Sequence, residues 1–120
     1  MTMVTAWLGA FVFTQVVECP IYVRALRAEK RPLPAKVVLA FAASAITHPI
    51  VWFVIPAVWM NAEQFGGYWT MVAIAEAFAV GVEAAYFWAL GLRRPWLWAL
   101  GANVASAGLG FLSRAAFGWP

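Results

Sequence analysis

The sequence predicts an all-α protein, a transmembrane up-down four-helix bundle with both termini outside. Three observations predict it. The first is composition: of 120 residues, 65% are apolar and 11% are charged, and the mean hydropathy is +0.80. A soluble domain is nearer half apolar and a quarter charged, and so short a chain cannot hide that much apolar surface in a core of its own. Composition thus argues against a soluble domain, a disordered chain and a disulfide scaffold. The second observation is spacing. Apolar stretches run over 4–24, 37–60, 68–91 and 96–117, and about 20 residues rising 1.5 Å each cross a bilayer core of roughly 30 Å. The third is the shortness of the connectors, which makes neighbouring helices antiparallel. Residues 1–120 then form one integral membrane domain. Runs such as Val37-Val38-Leu39-Ala40 do not alternate, so a transmembrane barrel is not indicated.

The first stretch has no basic residues before it, so it is expected to stay as a span and not to be removed as a leader. It contains the single cysteine, Cys19, which excludes an internal disulfide and reads as a packing residue. The first connector holds Arg24, Arg27, Glu29, Lys30, Arg31 and Lys36, with Pro32 and Pro34 stopping any helix from running through it. The second, 61–67, is polar, carries Glu63 and ends in Gly66-Gly67; the third is only Arg93-Arg94-Pro95. Seven of the eight basic residues lie in connectors one and three, and only Arg114 lies at the other side. The excess of basic residues in cytoplasmic loops fixes the orientation. It predicts a multi-pass protein of a cell membrane, a bacterial inner membrane, with the lipid bilayer as its first partner. The basic residues form no groove-reading element, so nucleic acid is not a partner.

Tryptophans follow the same frame. Trp7, Trp59, Trp69 and Trp119, with Tyr68, fall near the outer boundary; Trp88, Trp96 and Trp98, with Tyr22, fall near the inner one. An apolar ring with one polar atom suits the headgroup layer. Trp52 lies deeper and is the candidate wall of an aromatic pocket.

Polar groups inside the stretches are the informative ones. They are Glu18, His48, Glu76, Glu83 and Asn103. A charge at mid-bilayer costs on the order of 3 kcal/mol on insertion scales, so these residues must face the interior, find donors or carry a proton. Counted from the basic ends at 1.5 Å per residue, Glu18 lies roughly 9 Å deep, Glu83 and Asn103 roughly 12 Å, His48 roughly 18 Å and Glu76 roughly 22 Å. All four helices therefore contribute to one slab. Helical spacing joins Ser44 to His48, Glu76 to Glu83, Thr14 to Glu18, and Asn103 to Ser106, Gly110 and Ser113 on one face each. Tyr22 and Tyr86, one turn after Glu18 and Glu83, are placed to donate to those carboxyls. Pro20 and Pro49 interrupt helices beside ionisable groups, either as simple kinks that shape the bundle or in the pattern met at ion and substrate sites.

A second face carries Ala73, Ala77, Gly81, Ala85 and Ala89, a small-residue ladder of which Gly81 and Ala85 lie roughly opposite the glutamates. It allows close approach of a neighbouring helix, in a homo-oligomer or a larger membrane complex. Ala102, Ser106 and Gly110 repeat the spacing.

Together Glu18-Cys19-Pro20, Thr47-His48-Pro49, Glu83-Ala84-Ala85-Tyr86 and Asn103-Val104-Ala105-Ser106 resemble a group of small four-span bacterial membrane proteins with Glu-x-Pro, Thr-Asn-Pro, Glu-x-x-Tyr and Asn-x-x-Ser motifs. His48 stands where that group has Asn. The resemblance implies the four-span fold and the polar site, and no mechanism. One His, with no Glu-x-x-His or Cys-x-x-Cys pair, does not make a metal site, and no cofactor is indicated. Three function classes fit the residues. The first is a polar intramembrane site that handles protons or a small ligand, with Glu83 and His48 as the titrating pair. The second is a non-catalytic subunit or assembly factor whose polar groups are interhelical ties. The third is an intramembrane hydrolase, although the adjacent Glu-Glu pair and second His of such enzymes are missing.

Overall fold

The computed structural model describes residues 1–60 and 66–119. Glu63 and most of the second connector lie outside them. The described residues are helical, with no strand: α1 is Met3–Ala25, α2 Leu33–Pro49, α3 Ile55–Met60, α4 Tyr68–Ala89 and α5 Pro95–Phe117. A five-residue π-helical turn, Ile50–Val54, joins α2 to α3, so the chain forms four helical rods.

Local chemistry explains the boundaries. Thr2 caps α1 by accepting from the Thr5 amide at 3.2 Å. Pro20 remains inside an unbroken α1; the expected interruption there does not occur. α2 starts four residues before the apolar stretch, with Pro34 in its first turn, where a missing N–H leaves no bond unmade. The prolines of the first connector therefore open a helix as well as closing one. In the second rod Pro49 and Pro56 flank the π turn, and the Ile55 amide reaches back five residues to the Ile50 carbonyl. Pro56 has no N–H for the carbonyl one turn before it and its ring crowds that carbonyl; widening the turn relieves the crowding. The third connector turns tightly through Gly91 at φ +85° and Arg94 at φ 54°. After α5, Gly118 at φ +68° folds the chain back, so that Trp119 meets Phe13 at 6.3 Å. A Cβ on Gly9 would stand 3.2 Å from that indole.

Side-chain pairs give the directions of the rods. Thr14 meets His48, Glu18 meets Ser44, and Cys19 meets Val37, which is an antiparallel register for α1 and α2. Glu18 with Ser106 and Tyr22 with Asn103 do the same for α1 and α5. Trp69 with Phe111 and Glu83 with Asn103 do it for α4 and α5. Both termini thus lie at one end, and the basic turns at the other.

Three rods are long and apolar enough to cross a membrane: Met3–Ala28, Leu33–Met60 and Tyr68–Ala89. Their length and composition are those of membrane-spanning helices. α5 equals α1 in length at 23 residues, but Trp96, Trp98, Asn103, Ser106, Ser113 and Arg114 make it less apolar. Large apolar side chains such as Val16, Val38, Val104 and Leu112 point outward, while alanines fill the centre. The buried apolar cluster sits toward the basic end: Tyr22, Leu26, Ala40, Ala43, Phe87 and Ala102. Trp7, near the start of α1, packs against Phe11 and Phe53.

Two glycines should separate on substitution. Gly91→Ala forces a Cβ into a left-handed conformation and should cost about 1 kcal/mol. Gly81→Ala meets nothing within 4 Å and should stabilise the helix by about 0.4–1 kcal/mol. Thermal unfolding in detergent checks the opposite signs.

Candidate functional site

Two carboxylates sit where the four rods meet. Glu18 of α1 and Glu83 of α4 are each only 1% exposed. Donors from other helices surround them. Ser106 of α5 donates to Glu18 Oε1 at 2.5 Å, and Ser44 of α2 donates to Oε2. Thr47 of α2 donates to Glu83 Oε1 at 2.8 Å. Asn103 of α5 donates to Oε2 at 2.7 Å, and the Tyr22 hydroxyl of α1 donates to the same oxygen. The Asn103 amide also reaches the Ala99 carbonyl at 2.9 Å, which fixes its orientation. Every donor is neutral. Among the described residues the ion pair is Arg31–Glu29 at 2.8 Å, which involves neither of these glutamates.

The tyrosines behave differently from the expectation of same-helix bonds. Tyr22 bonds Glu83 and not Glu18, and Tyr86 donates to the Leu39 carbonyl of α2 at 2.9 Å. Both hydroxyls reach across to another rod instead of back along their own helix. Each phenol thereby spans the roughly 8–10 Å between helix axes.

His48 lies one residue from Thr47 but does not bond Glu83. Its Nε2 is 3.3 Å from Thr14 Oγ1. Trp52 stacks on the imidazole at 6.0 Å, and Phe11 and Trp7 lie 5.3 and 6.3 Å away. His48 Nδ1, Trp7 Nε1 and Gln15 Oε1 are buried with no hydrogen-bond partner among the described residues. Gln15 donates its amide to the Phe41 carbonyl at 3.1 Å.

A cavity of about 410 Å³ connects these groups to the termini end. Met3, Tyr68 and Arg114 line its mouth; Phe13, Trp52, Met71 and Phe111 line its walls; Glu18, Glu83, Asn103 and Ser106 form its floor. Glu76, half-buried and seven residues above Glu83, lines the same cavity and has no hydrogen bond among the described residues. His48 and Thr47 line it too.

All five candidate residues therefore face one space, and Glu18, Glu83 and Asn103 belong to one bonded network. Glu76 and His48 share the cavity without joining that network. Thr47 is the residue that sequence reasoning left out of the site, although its face is that of Ser44 and His48. Arg114 at the mouth was read only as an orientation signal. No group of three or more His, Cys, Asp or Glu among the described residues is placed to hold a metal ion.

No protein-family model, curated protein or solved structure matches the chain. Its own geometry is therefore what speaks to function. Hydroxyl and amide donors hold carboxyls at the floor of an open cavity, an arrangement suited to accepting and releasing protons and to binding donors.

Ser106→Ala should leave one Glu18 oxygen without its donor and cost about 1–3 kcal/mol. Tyr86→Phe should cost less, about 1 kcal/mol, because the Leu39 carbonyl keeps its helical bond. Thermal unfolding of the two variants in detergent gives the ranking.

Proposed function

We propose that this is a four-span protein of the bacterial inner membrane, with both termini outside, whose intramembrane carboxyls handle protons or a small ligand through a cavity open to one side. One observation carries the reading: the two most deeply buried carboxylates form the floor of a cavity whose mouth is at the termini end. A carboxyl kept only to tie helices together has no need of a route to water. Glu76 supports the reading as well, since its carboxyl lines the route without a partner. The acceptors converging on the cavity, Glu18, Glu76 and Glu83, suit a ligand that presents hydrogen-bond donors or positive charge. The basic turns at the opposite end agree with the predominance of basic residues in cytoplasmic loops. An intramembrane hydrolase is the weaker reading, because His48 bonds Thr14 and not a glutamate.

The second reading is a subunit or assembly factor of a membrane complex, or a homo-oligomer. What favours it is the ladder of Ala73, Ala77, Gly81, Ala85 and Ala89, all exposed on the outer face of α4, where Gly81 has open space beside it. Gly81→Leu should then lower the particle mass measured by light scattering in detergent, and an unchanged mass argues against this contact.

The cavity reading is tested by infrared titration of the purified protein. The carbonyl-stretch signal of protonated carboxyls should fall reversibly as pH rises, and Glu83→Gln and Glu18→Gln should each remove part of that change. A signal constant with pH while the protein stays folded overturns the reading.

A further inference from the structure

A second cavity of about 310 Å³ lies at the basic end, lined by Ala25 at the end of α1 and the residues Leu26 to Glu29 that follow it, by the Leu90–Arg93 turn and by Trp98. We infer that this cavity is the inner vestibule of a proton path, and that the layer made by Tyr22, Phe87 and Leu26 is the barrier separating it from the carboxylate-floored cavity. The inference rests on the proton-handling reading above and adds to it a second opening and a named barrier.

About two helical turns separate the two cavities. The Tyr22 hydroxyl bonds Glu83, which lines the first cavity. Leu26, four residues further along the chain, lines the second. Between lining residues the separation is seven positions, Glu18 to Ala25 along the first rod and Glu83 to Leu90 along the third, about 10 Å of helix, a length spanned by three or four waters. Phe87 closes the layer from α4, its ring 4.4 Å from that of Tyr22. Both rings are fully buried at 0% exposure. Around them stand Ala40, Ala43 and Ala102, with Leu39, Leu90, Leu92 and Trp98 packed against the outside of the cluster, so the two rings fill its centre. A thin, dry apolar constriction between two wet spaces is how channels and transporters hold back ions.

Each side of the barrier offers a proton acceptor. On one side is Glu83. On the other, Glu29 bonds Arg31 through Oε1 at 2.8 Å, while its Oε2 is buried without a partner among the described residues and the residue lines the second cavity. The layer is also tied to the state of Glu83. The hydrogen bond from Tyr22 is strongest while Glu83 is a carboxylate. When Glu83 takes up a proton the acceptor loses its charge, and the hold on the Tyr22 ring weakens. When the layer opens and water enters it, a proton leaving Glu83 as hydronium along that file of water, and arriving at Glu29, balances charge and atoms with no further reactant.

The test is proton flux into vesicles carrying the reconstituted protein and a trapped pH dye, with the charge movement compensated by a potassium ionophore. The wild-type vesicles should hold an imposed pH gradient. Phe87→Ala, and Leu26→Ala as a milder truncation, should raise the flux at least tenfold. In the Phe87→Ala background, Glu83→Gln should return the flux to the wild-type level, and so should Leu92→Trp, which fills the second cavity. Vesicles that stay proton-tight with folded Phe87→Ala and Leu26→Ala proteins overturn the inference. So does a flux indifferent to both second-site changes. If the infrared titration succeeds while the flux fails, only the barrier and inner vestibule fall. If the carboxyls never titrate, the underlying reading falls as well.

Discussion

A carboxylate removed from water must find hydrogen-bond donors, and a single helix cannot supply them from its own backbone, whose N–H groups are already used. In this protein the donors come from the other helices. Glu18 draws on α2 and α5, and Glu83 on α1, α2 and α5. Two side chains thereby reach all four rods. Apolar packing cannot do this alone, because lipid is as apolar as leucine and favours no particular neighbour. The polar network sets which faces turn inward, at what depth, and in which register. The outward valines and leucines and the central alanines are consistent with it.

The second rod shows how a backbone irregularity becomes a site. Pro49 and Pro56 lie seven residues apart, and the turn between them is π-helical. That turn carries Trp52, stacked on His48 one turn earlier. A π turn rotates the following side chains relative to a regular helix, so α3 presents Pro56 to the mouth of the cavity while Thr47 and His48 face its interior. The prolines appear in the sequence as breaks. Their effect is a local widening of one helix, which leaves the rod continuous.

The molecule is polar along its long axis. The termini end is hollow and lined by aromatic rings. The basic end is closed by the cluster around Tyr22 and Phe87, beyond which the chain turns through two left-handed residues within four positions. Tyr22 belongs to both halves, since its ring is in the apolar cluster and its hydroxyl is in the carboxylate network. This dual membership makes the depth of the closure depend on the network's geometry.

Much of this was legible in the sequence for a simple reason: periodicity and cost are local properties. Helical runs of more than 20 residues, proline and glycine punctuation, and the expense of a glutamate in an apolar run identify the rods and mark Glu18, His48, Glu76, Glu83 and Asn103 as inward-facing. Helical spacing also placed Gly81 and Ala85 of the small-residue ladder on the opposite, outer face. What spacing cannot give is the identity of the donor on another helix, because that depends on the relative height and rotation of two rods. The assignment of Tyr22 to Glu83, the Ser44–Glu18–Ser106 bridge and the place of Thr47 therefore awaited the tertiary structure. So did the separation of Glu76 and His48 from the bonded network, and the existence of the two cavities. A cavity is the space that several helices leave unfilled together, and no single stretch of sequence contains it.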